Sequence, residues 1–246
     1  MEKIETKNVI VESFNTDFQR RMNYETLGRD LLNCAEQHAN KRGFGVDDIT
    51  PKNHAWVLSR MAIEMYEMPK MFTELEISTW IENIYRLFTN RNFAIRGIDG
   101  KEYGYARSIW AMIDRTTRQP IELEKLYAEE FNSCIIADYP CPIAPQTRLR
   151  PLKDTEECRI HKVVTSDIDY NGHVNSIKYI QLLCDVFPLE YYQKHKLQRV
   201  EIAYINETLF GETLHFFKQE IEDRKFEIEI RKDEGGTVVR GLLCFA

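Results

Sequence analysis

The sequence predicts an α+β protein built from two similar halves, and three observations carry that prediction. A helical apolar stripe followed by a series of strand-like segments occurs twice, a proline-rich segment separates the two occurrences, and a short stretch of the first helix matches the second. A helix with a single apolar face has to be covered, and the strands that follow it supply the cover.

In the first half, after a short strand, Leu27, Leu31, Leu32, Ala35 and Ala39 fall three or four residues apart and predict a helix that ends at Gly43. The β-branched and aromatic residues of Trp56 to Tyr66, Leu75 to Arg96 and Gly104 to Ile113 predict extended segments. Pro140, Pro142, Pro145 and Pro151 then fall between Asp138 and Lys153, a segment without helical or strand period. This reads as a linker, so the predicted organisation is an N-terminal unit 1–137, a linker 138–153 and a C-terminal unit 154–246.

The second half repeats the order. Val174, Ile177, Ile180, Cys184 and Phe187 make one apolar stripe, predicting a helix from about Val174 to Val186 that stops near Pro188. Arg199 to Asn206, Thr213 to Glu222, Phe226 to Lys232 and Thr237 to Phe245 follow as strands, with plain alternation in Phe226-Glu227-Ile228-Glu229-Ile230 and a hairpin turn at Gly235-Gly236. An ungapped comparison sets Leu31-Leu32-Asn33-Cys34 against Gln181-Leu182-Leu183-Cys184, an offset of 150 residues. At that offset Asp169, Asn171 and His173 face Gln19, Arg21 and Asn23.

Composition bounds the function. The chain has 246 residues, 43% hydrophobic and 29% charged, enough to bury a substantial core. Its net charge of −6 opposes nucleic acid, and no basic run with interleaved aromatics occurs. No stretch reaches the roughly 18 apolar residues of a membrane span, and the first residues do not resemble a signal peptide, so the sequence reads as cytoplasmic. Six scattered cysteines without a CxxC pair read as reduced thiols rather than a zinc or redox site. Neither a P-loop, a G-x-G-x-x-G nor a G-x-S-x-G is present, so no cofactor and no serine nucleophile is expected.

The chemistry is concentrated in Thr165-Ser166-Asp167-Ile168-Asp169-Tyr170-Asn171-Gly172-His173-Val174-Asn175, directly ahead of the second helix. Its Asp-x-Asp-x-Asn-Gly start imitates a calcium loop, but the twelfth position, which must be a bidentate Glu, is Lys178. A metal site from His161, Asp169 and His173 lacks any supporting His or Cys spacing, and none is expected. Two readings of Asp169, Asn171 and His173 stay open on the residues alone. They cap the helix, or, spaced by two in an extended approach with His173 starting the helix, they share one face of a reaction site. The first helix amides would then stabilise a carbonyl oxygen that gains charge. Glu207, leaving the apolar strand Val200 to Asn206, is a candidate base whose partial desolvation would raise its pKa.

The run Asp167 to Ile180, with Asp169-x-Asn171-x-His173 followed by Val174-Asn175 and Lys178-Tyr179-Ile180, resembles the signature of the acyl-acyl carrier protein thioesterases of plants and bacteria. Trp56-Val57-Leu58-Ser59-Arg60, Ile109-Trp110-Ala111-Met112-Ile113-Asp114 and Thr117-Arg118-Gln119-Pro120 resemble the N-terminal half of that family, so the similarity covers nearly the whole chain. The resemblance implies a tandem (double) hotdog, two long helices each wrapped by antiparallel sheet, with the acyl chain in the N-terminal unit and catalysis in the C-terminal one. It implies catalytic roles for Asp169, Asn171, His173 and, by alignment of Ala203-Tyr204-Ile205-Asn206-Glu207-Thr208, for Glu207. Val174 and Thr208 are implied as supporting residues, and Trp56 and Arg60 as substrate-binding ones. Where plant members carry a cysteine this chain has Thr208, so the resemblance does not extend to a thiol nucleophile.

The expected reaction is hydrolysis of a fatty acyl-acyl carrier protein thioester, releasing the fatty acid and ending chain elongation, with water activated by Glu207. The alternatives are an acyl-coenzyme A thioesterase and a non-catalytic acyl- or carrier-binding module. The expected partner is acyl carrier protein, with no nucleic acid and no membrane span. A homodimer is left open, because a tandem chain satisfies the pairing of hotdog units internally and can still dimerise. Arg20, Arg21, Arg148, Arg150, Lys178, Lys194, Lys196 and Arg199 are either a docking patch for that acidic carrier or scattered solvated charges.

Overall fold

The computed structural model describes residues 3–153 and 155–246; Met1 and Glu2 of the N-terminal stretch, and Asp154, which opens the predicted C-terminal unit, lie outside the described residues. The chain divides into two units, Met1–Pro145 and Gln146–Ala246. Among the described residues no helix is long and apolar enough to cross a membrane.

The first unit contains strands β1 (Glu5–Ile10), β2 (His54–Met65), β3 (Glu74–Tyr85), β4 (Phe88–Gly97) and β5 (Glu102–Asp114), the helix α1 (Tyr24–Asn40) and the short helices α2 (Val46–Ile49), α3 (Leu123–Leu126) and α4 (Ala128–Asn132). All pairings are antiparallel, in the order β1-β3-β4-β5-β2. Helix α1 forms because Leu27, Leu31, Cys34 and Ala35 line one face and because Asn23 caps it, its side chain accepting the Thr26 amide at 2.7 Å. Leu27 and Leu31 are completely buried, about 1.5–3 kcal/mol each of apolar burial. The segment Leu75 to Arg96, predicted as one extended run, is two strands. The chain reverses at Arg86-Leu87, where Arg86 takes the positive φ of 46° that a two-residue hairpin loop requires and that glycine or asparagine normally supplies.

The second unit contains β6 (Glu157–Lys162), α5 (Ser176–Cys184), α6 (Leu189–Lys194), β7 (Leu197–Tyr204), β8 (Thr213–Glu222), β9 (Lys225–Lys232) and β10 (Thr237–Phe245). Its sheet runs β6-β8-β9-β10-β7, again all antiparallel, which is the first unit's order strand for strand. Ile180 and Leu183 of α5 are fully buried, and a Cβ built on Gly241 of β10 would lie 2.6 Å from Leu183 Cδ1. Only glycine at 241 lets the helix come this near to the strand. The fold is thus the predicted α+β tandem hotdog, each unit a helix laid on an antiparallel sheet.

The proline-rich segment has no secondary structure, yet it is held down. In the first unit Trp80 Nε1 donates to Tyr139 O at 2.8 Å and Arg107 Nη1 to Ile143 O at 3.1 Å. In the second, two buried carboxylates accept backbone amides: Glu201 takes Thr147 N at 2.5 Å and Glu229 takes Leu152 N at 2.8 Å. Burial alone would push Glu229 up, but Thr237, Arg231 and the Leu152 amide hold it below the usual carboxylate range. The strap replaces absent strand pairing with charge-assisted hydrogen bonds.

The duplication has a register that the sequence comparison missed. Glu5–Ile10 corresponds to Glu157–Lys162, the 3₁₀ turn Ser13–Asn15 to Thr165–Asp167, and the helix cap Asn23 to Asn175, all at an offset of 152 residues. The offset of 150 is therefore corrected by two, and Asp169, Asn171 and His173 correspond to Asp17, Gln19 and Arg21.

Candidate active site

The Asp-x-Asn-x-His element folds as a tight reversal rather than as an extended approach. Ile168 bridges Val174, Asp169 N donates to His173 O at 2.9 Å, and Gly172 N donates to Asp169 O at 3.0 Å with Gly172 at φ 83°. Asp169 Oδ1 accepts the Asn171 amide at 2.8 Å, so this carboxylate braces the turn from inside. Asp169 and Asn171 therefore do not share a strand face, and His173 does not start the helix. The cap is Asn175, whose side chain accepts Ile177 N at 2.8 Å, and α5 begins at Ser176. Ile177 N is thereby taken, and Lys178 N donates to Asn175 O at 2.9 Å, so neither of these two amides of the first turn is open.

Glu207 arrives from the loop between β7 and β8. Val174 N donates to Thr208 O at 2.9 Å, Val163 N to Glu212 O at 2.9 Å and Gly211 N to Val163 O at 3.2 Å. These bonds lay the loop along the turn and bring Glu207 Oε2 to 3.4 Å from His173 Nε2. The Glu207 side chain is 47% exposed, so the expected apolar enclosure of this carboxylate is not there; it is a solvated group beside a partly exposed imidazole. Thr208 is fully buried, its hydroxyl enclosed beside that of Tyr179, and only its carbonyl faces the turn. Tyr179 itself is pushed above the usual phenol range by burial. Asn171 is exposed at the tip of the turn.

Sequence reasoning passed over the group directly beneath. Asp167, 1% exposed, accepts the Val164 amide at 3.0 Å and stands 2.7 Å from His161 Nε2, with Lys178 Nζ 3.4 Å from its other oxygen. Its burial would raise it, but the Val164 amide, His161 and Lys178 hold it below the usual carboxylate range. The signal lay in the motif itself, since a carboxylate two residues before Asp169 and a lysine on the first helical turn fall within one short stretch.

The remaining candidates are placed as follows. Trp56 and Arg60 lie on β2 of the first unit; Trp56 Nε1 donates to Phe44 O at 2.9 Å and its ring meets Phe44 and Phe131 edge-on, a packing position. Of the cations set aside for docking, Arg21 pairs with Asp17 at 3.1 Å, Lys178 with Asp167 at 3.4 Å and Arg199 with Glu201 at 2.8 Å, so these three serve internal ion pairs. Among the described residues no group of three or more His, Cys, Asp or Glu side chains forms a metal-binding cluster, and His161 is engaged by Asp167.

The same scaffold exists in the first unit, with Asp17 in the place of Asp169 but neither an imidazole nor a carboxylate at the positions of His173 and Glu207. Asp17 N donates to Arg21 O at 2.7 Å, Arg20 N to Asp17 O at 2.9 Å and Met22 N to Pro69 O at 2.8 Å, bond for bond the turn of the second unit. Met22 and Pro69 take the places of Val174 and Thr208, so Met68 stands where Glu207 does, and Arg21 where His173 does. One copy has kept an acid and an imidazole; the other has a thioether and an ion-paired guanidinium.

The family model described as the acyl-ACP thioesterase N-terminal domain matches residues 2–131, and the one described as the acyl-ACP thioesterase C-terminal domain matches residues 151–244. The chain is similar to the crystal structure of an acyl-ACP thioesterase from Bacteroides thetaiotaomicron, 43% identical with a TM-score of 0.93, over 99% of this chain and 98% of that one. A 12:0-ACP thioesterase from Umbellularia californica shares the fold, with a TM-score of 0.88 at 16% identity over 100% of this chain and 98% of that one. The oleoyl-acyl carrier protein thioesterase 1 of Arabidopsis thaliana, a chloroplastic protein, is 26% identical over 80% of this chain, which spans 59% of that relative's length.

Proposed function

The chain belongs to the acyl-ACP thioesterase family, and on that premise we propose that it hydrolyses the thioester of fatty acyl-acyl carrier protein, releasing the fatty acid and the carrier thiol. The observation that carries the site assignment is the 3.4 Å approach of His173 Nε2 to Glu207 Oε2, one from the turn before α5 and the other from the loop between β7 and β8.

In this reading Glu207 takes a proton from water as the water oxygen adds to the thioester carbonyl carbon. His173 and Asn171 hold the water and the carboxylate in line, and Asp169 keeps the turn that presents them closed. The carbonyl oxygen gains negative charge and is received by the Ser176 amide at the head of α5. The carbon–sulfur bond then breaks and the sulfur leaves as thiolate; with a thiol pKa of about 8.5 it requires little help from an acid. The proton held on Glu207 returns to solvent through its exposed face. Thr208 provides its carbonyl to the turn and no nucleophile, since its hydroxyl is enclosed. The cytoplasm is the compartment that this reading assigns, supported by an acidic chain with scattered cysteines.

The test is incubation of the purified protein with acyl carrier protein thioesters and with the matching coenzyme A thioesters, followed by identification of the released acids. Faster release from the carrier supports the proposal, comparable release from coenzyme A makes the chain a general thioesterase, and binding without release makes it a binding module.

A further inference from the structure

We propose that Asp167 is a positioning residue of this site, holding the turn 169–173 and the start of α5 in their working relation through His161 and Lys178. The inference rests on the thioesterase reading above, which it deepens.

Asp167 does not meet the substrate, being 1% exposed. It instead joins three elements at the base of the reversal. Its Oδ2 stands 2.7 Å from His161 at the end of β6, its Oδ1 lies 3.4 Å from Lys178 on the first turn of α5, and its own carbonyl accepts the amide of Asn175, the helix cap, at 2.8 Å. The bridge of Ile168 to Val174 closes the reversal immediately above. A shift of Asp167 therefore moves both partners of the site's geometry, the turn that carries His173 and the head of α5. A misplacement of about 1 Å costs on the order of a hundredfold in rate at such a site.

The first unit builds the same turn without a carboxylate at this position. Asn15 corresponds to Asp167, Val9 to His161 and Thr26 to Lys178. The backbone is nevertheless the same, with Asn15 N donating to Glu12 O at 3.0 Å and Asn23 N to Asn15 O at 3.1 Å, as Asp167 N donates to Val164 O at 3.0 Å and Asn175 N to Asp167 O. In the copy without the imidazole and the base carboxylate, the same turn forms around a neutral amide whose Oδ1 accepts Arg29 Nη2 at 3.2 Å, beside a valine and a threonine. The Val164 amide, His161 and Lys178 more than offset the burial of Asp167, yet the same backbone forms around Asn15 without a carboxylate, so the turn itself does not require the charge. The charged cluster goes with the reactive side chains.

The test compares the full chain with Asp167→Asn, which keeps an acceptor oxygen and removes the charge, on fatty acyl-acyl carrier protein thioesters. The expected result is a kcat lowered tenfold or more with KM within twofold, and amide hydrogen exchange at Asn171 and Asn175 faster by tenfold or more while β8 and β9 keep their protection. A merely structural defect would loosen the whole unit and would not separate kcat from KM. A kcat within twofold of the wild type overturns the proposal. If Asp167→Asn does not fold, the triple variant His161→Val, Asp167→Asn, Lys178→Thr, which installs the first unit's residues, takes its place with the same two readings. A triple variant that does not fold also overturns the proposal, because the cluster then serves folding. If the wild type releases no acid from any thioester, the thioesterase reading falls by itself and the exchange comparison still decides: unchanged protection at Asn171 and Asn175 sinks the role of Asp167.

Discussion

The amide of Val174 donates to the carbonyl of Thr208 at 2.9 Å, and this one backbone bond sets the loop that carries Glu207 against the turn that carries His173. Val174 is itself 6% exposed, so the bond is shielded from water and the pairing is anchored in the core rather than at the surface. The side chains of His173 and Glu207 stand partly exposed above this buried anchor.

Replacing Glu207 by Gln removes the base and leaves the shape. Turnover of acyl carrier protein thioesters is expected to fall by about 10²–10⁴, the usual contribution of a positioned base. The thermal midpoint should stay within a degree or two, since the side chain is 47% exposed. A rate within threefold of the wild type would remove Glu207 from the mechanism.

Thr208→Cys tests whether the plant residue creates a thiol route. The position is fully buried, and burial pushes the thiol of Cys34 up to about 11 and that of Cys184 up to about 12 in this protein. A cysteine at 208 is expected to stay protonated and unreactive. Intact mass spectrometry during turnover should show no acyl adduct; an adduct at 208 would show that the side chain reaches the substrate.

Stability should depend on pH in opposite senses at two places. The hydrogen bonds that His215 donates to Asp233 and Glu157 raise it above its ordinary value, so its contribution is fully present below the unfolded pKa of about 6.5 and is lost as pH rises through the folded value. Asp167 and Glu229 are depressed, so their contributions are present above the unfolded carboxylate range and are lost as pH falls through the folded values. Urea unfolding of His215→Phe against the wild type should give a larger difference at pH 6 than at pH 9. An equal difference at both would exclude a stabilising role for the pairing of His215 with Asp233 and Glu157.

Gly241→Val is expected to destabilise the protein by about 1–3 kcal/mol, the usual cost of overpacking, because the new side chain meets Leu183 on a fully buried stretch of α5. Chemical denaturation measures it, and Leu183→Ala in the same chain should recover part of the loss.

The fold was legible wherever periodicity decides it. The stripes of Leu27 to Ala39 and Ile177 to Cys184 and the alternation of Phe226 to Ile230 are packing patterns, and packing produced these elements, although the second helix is shorter than the expected Val174 to Val186. Periodicity is silent about reversals without glycine, which is why the hairpin at Arg86 was read as continuous strand. It is also silent about register between copies. Leu32-Asn33-Cys34 and Leu182-Leu183-Cys184 match as words, but the backbone bonds set Leu31 beside Leu183 in role, two residues away from that alignment. Alternate spacing implies a common face for Asp169 and Asn171 only in an extended chain; here the carboxylate of Asp169 accepts the amide two residues on and makes a turn. The association of Glu207 with His173 depends on loop bonds 30 and more residues distant in sequence, which no local pattern encodes.

The loss of the imidazole and the carboxylate from the first unit fixes a stoichiometry. Two identical units would offer two such pairs, but with Arg21 and Met68 at the corresponding positions the imidazole–carboxylate pair occurs in the second unit and not in the first, so one reaction centre per chain is the expectation. A tight, slowly released substrate analogue should therefore titrate at one equivalent per chain. The saturation curve of a single chain should be hyperbolic, with no second centre available to cooperate.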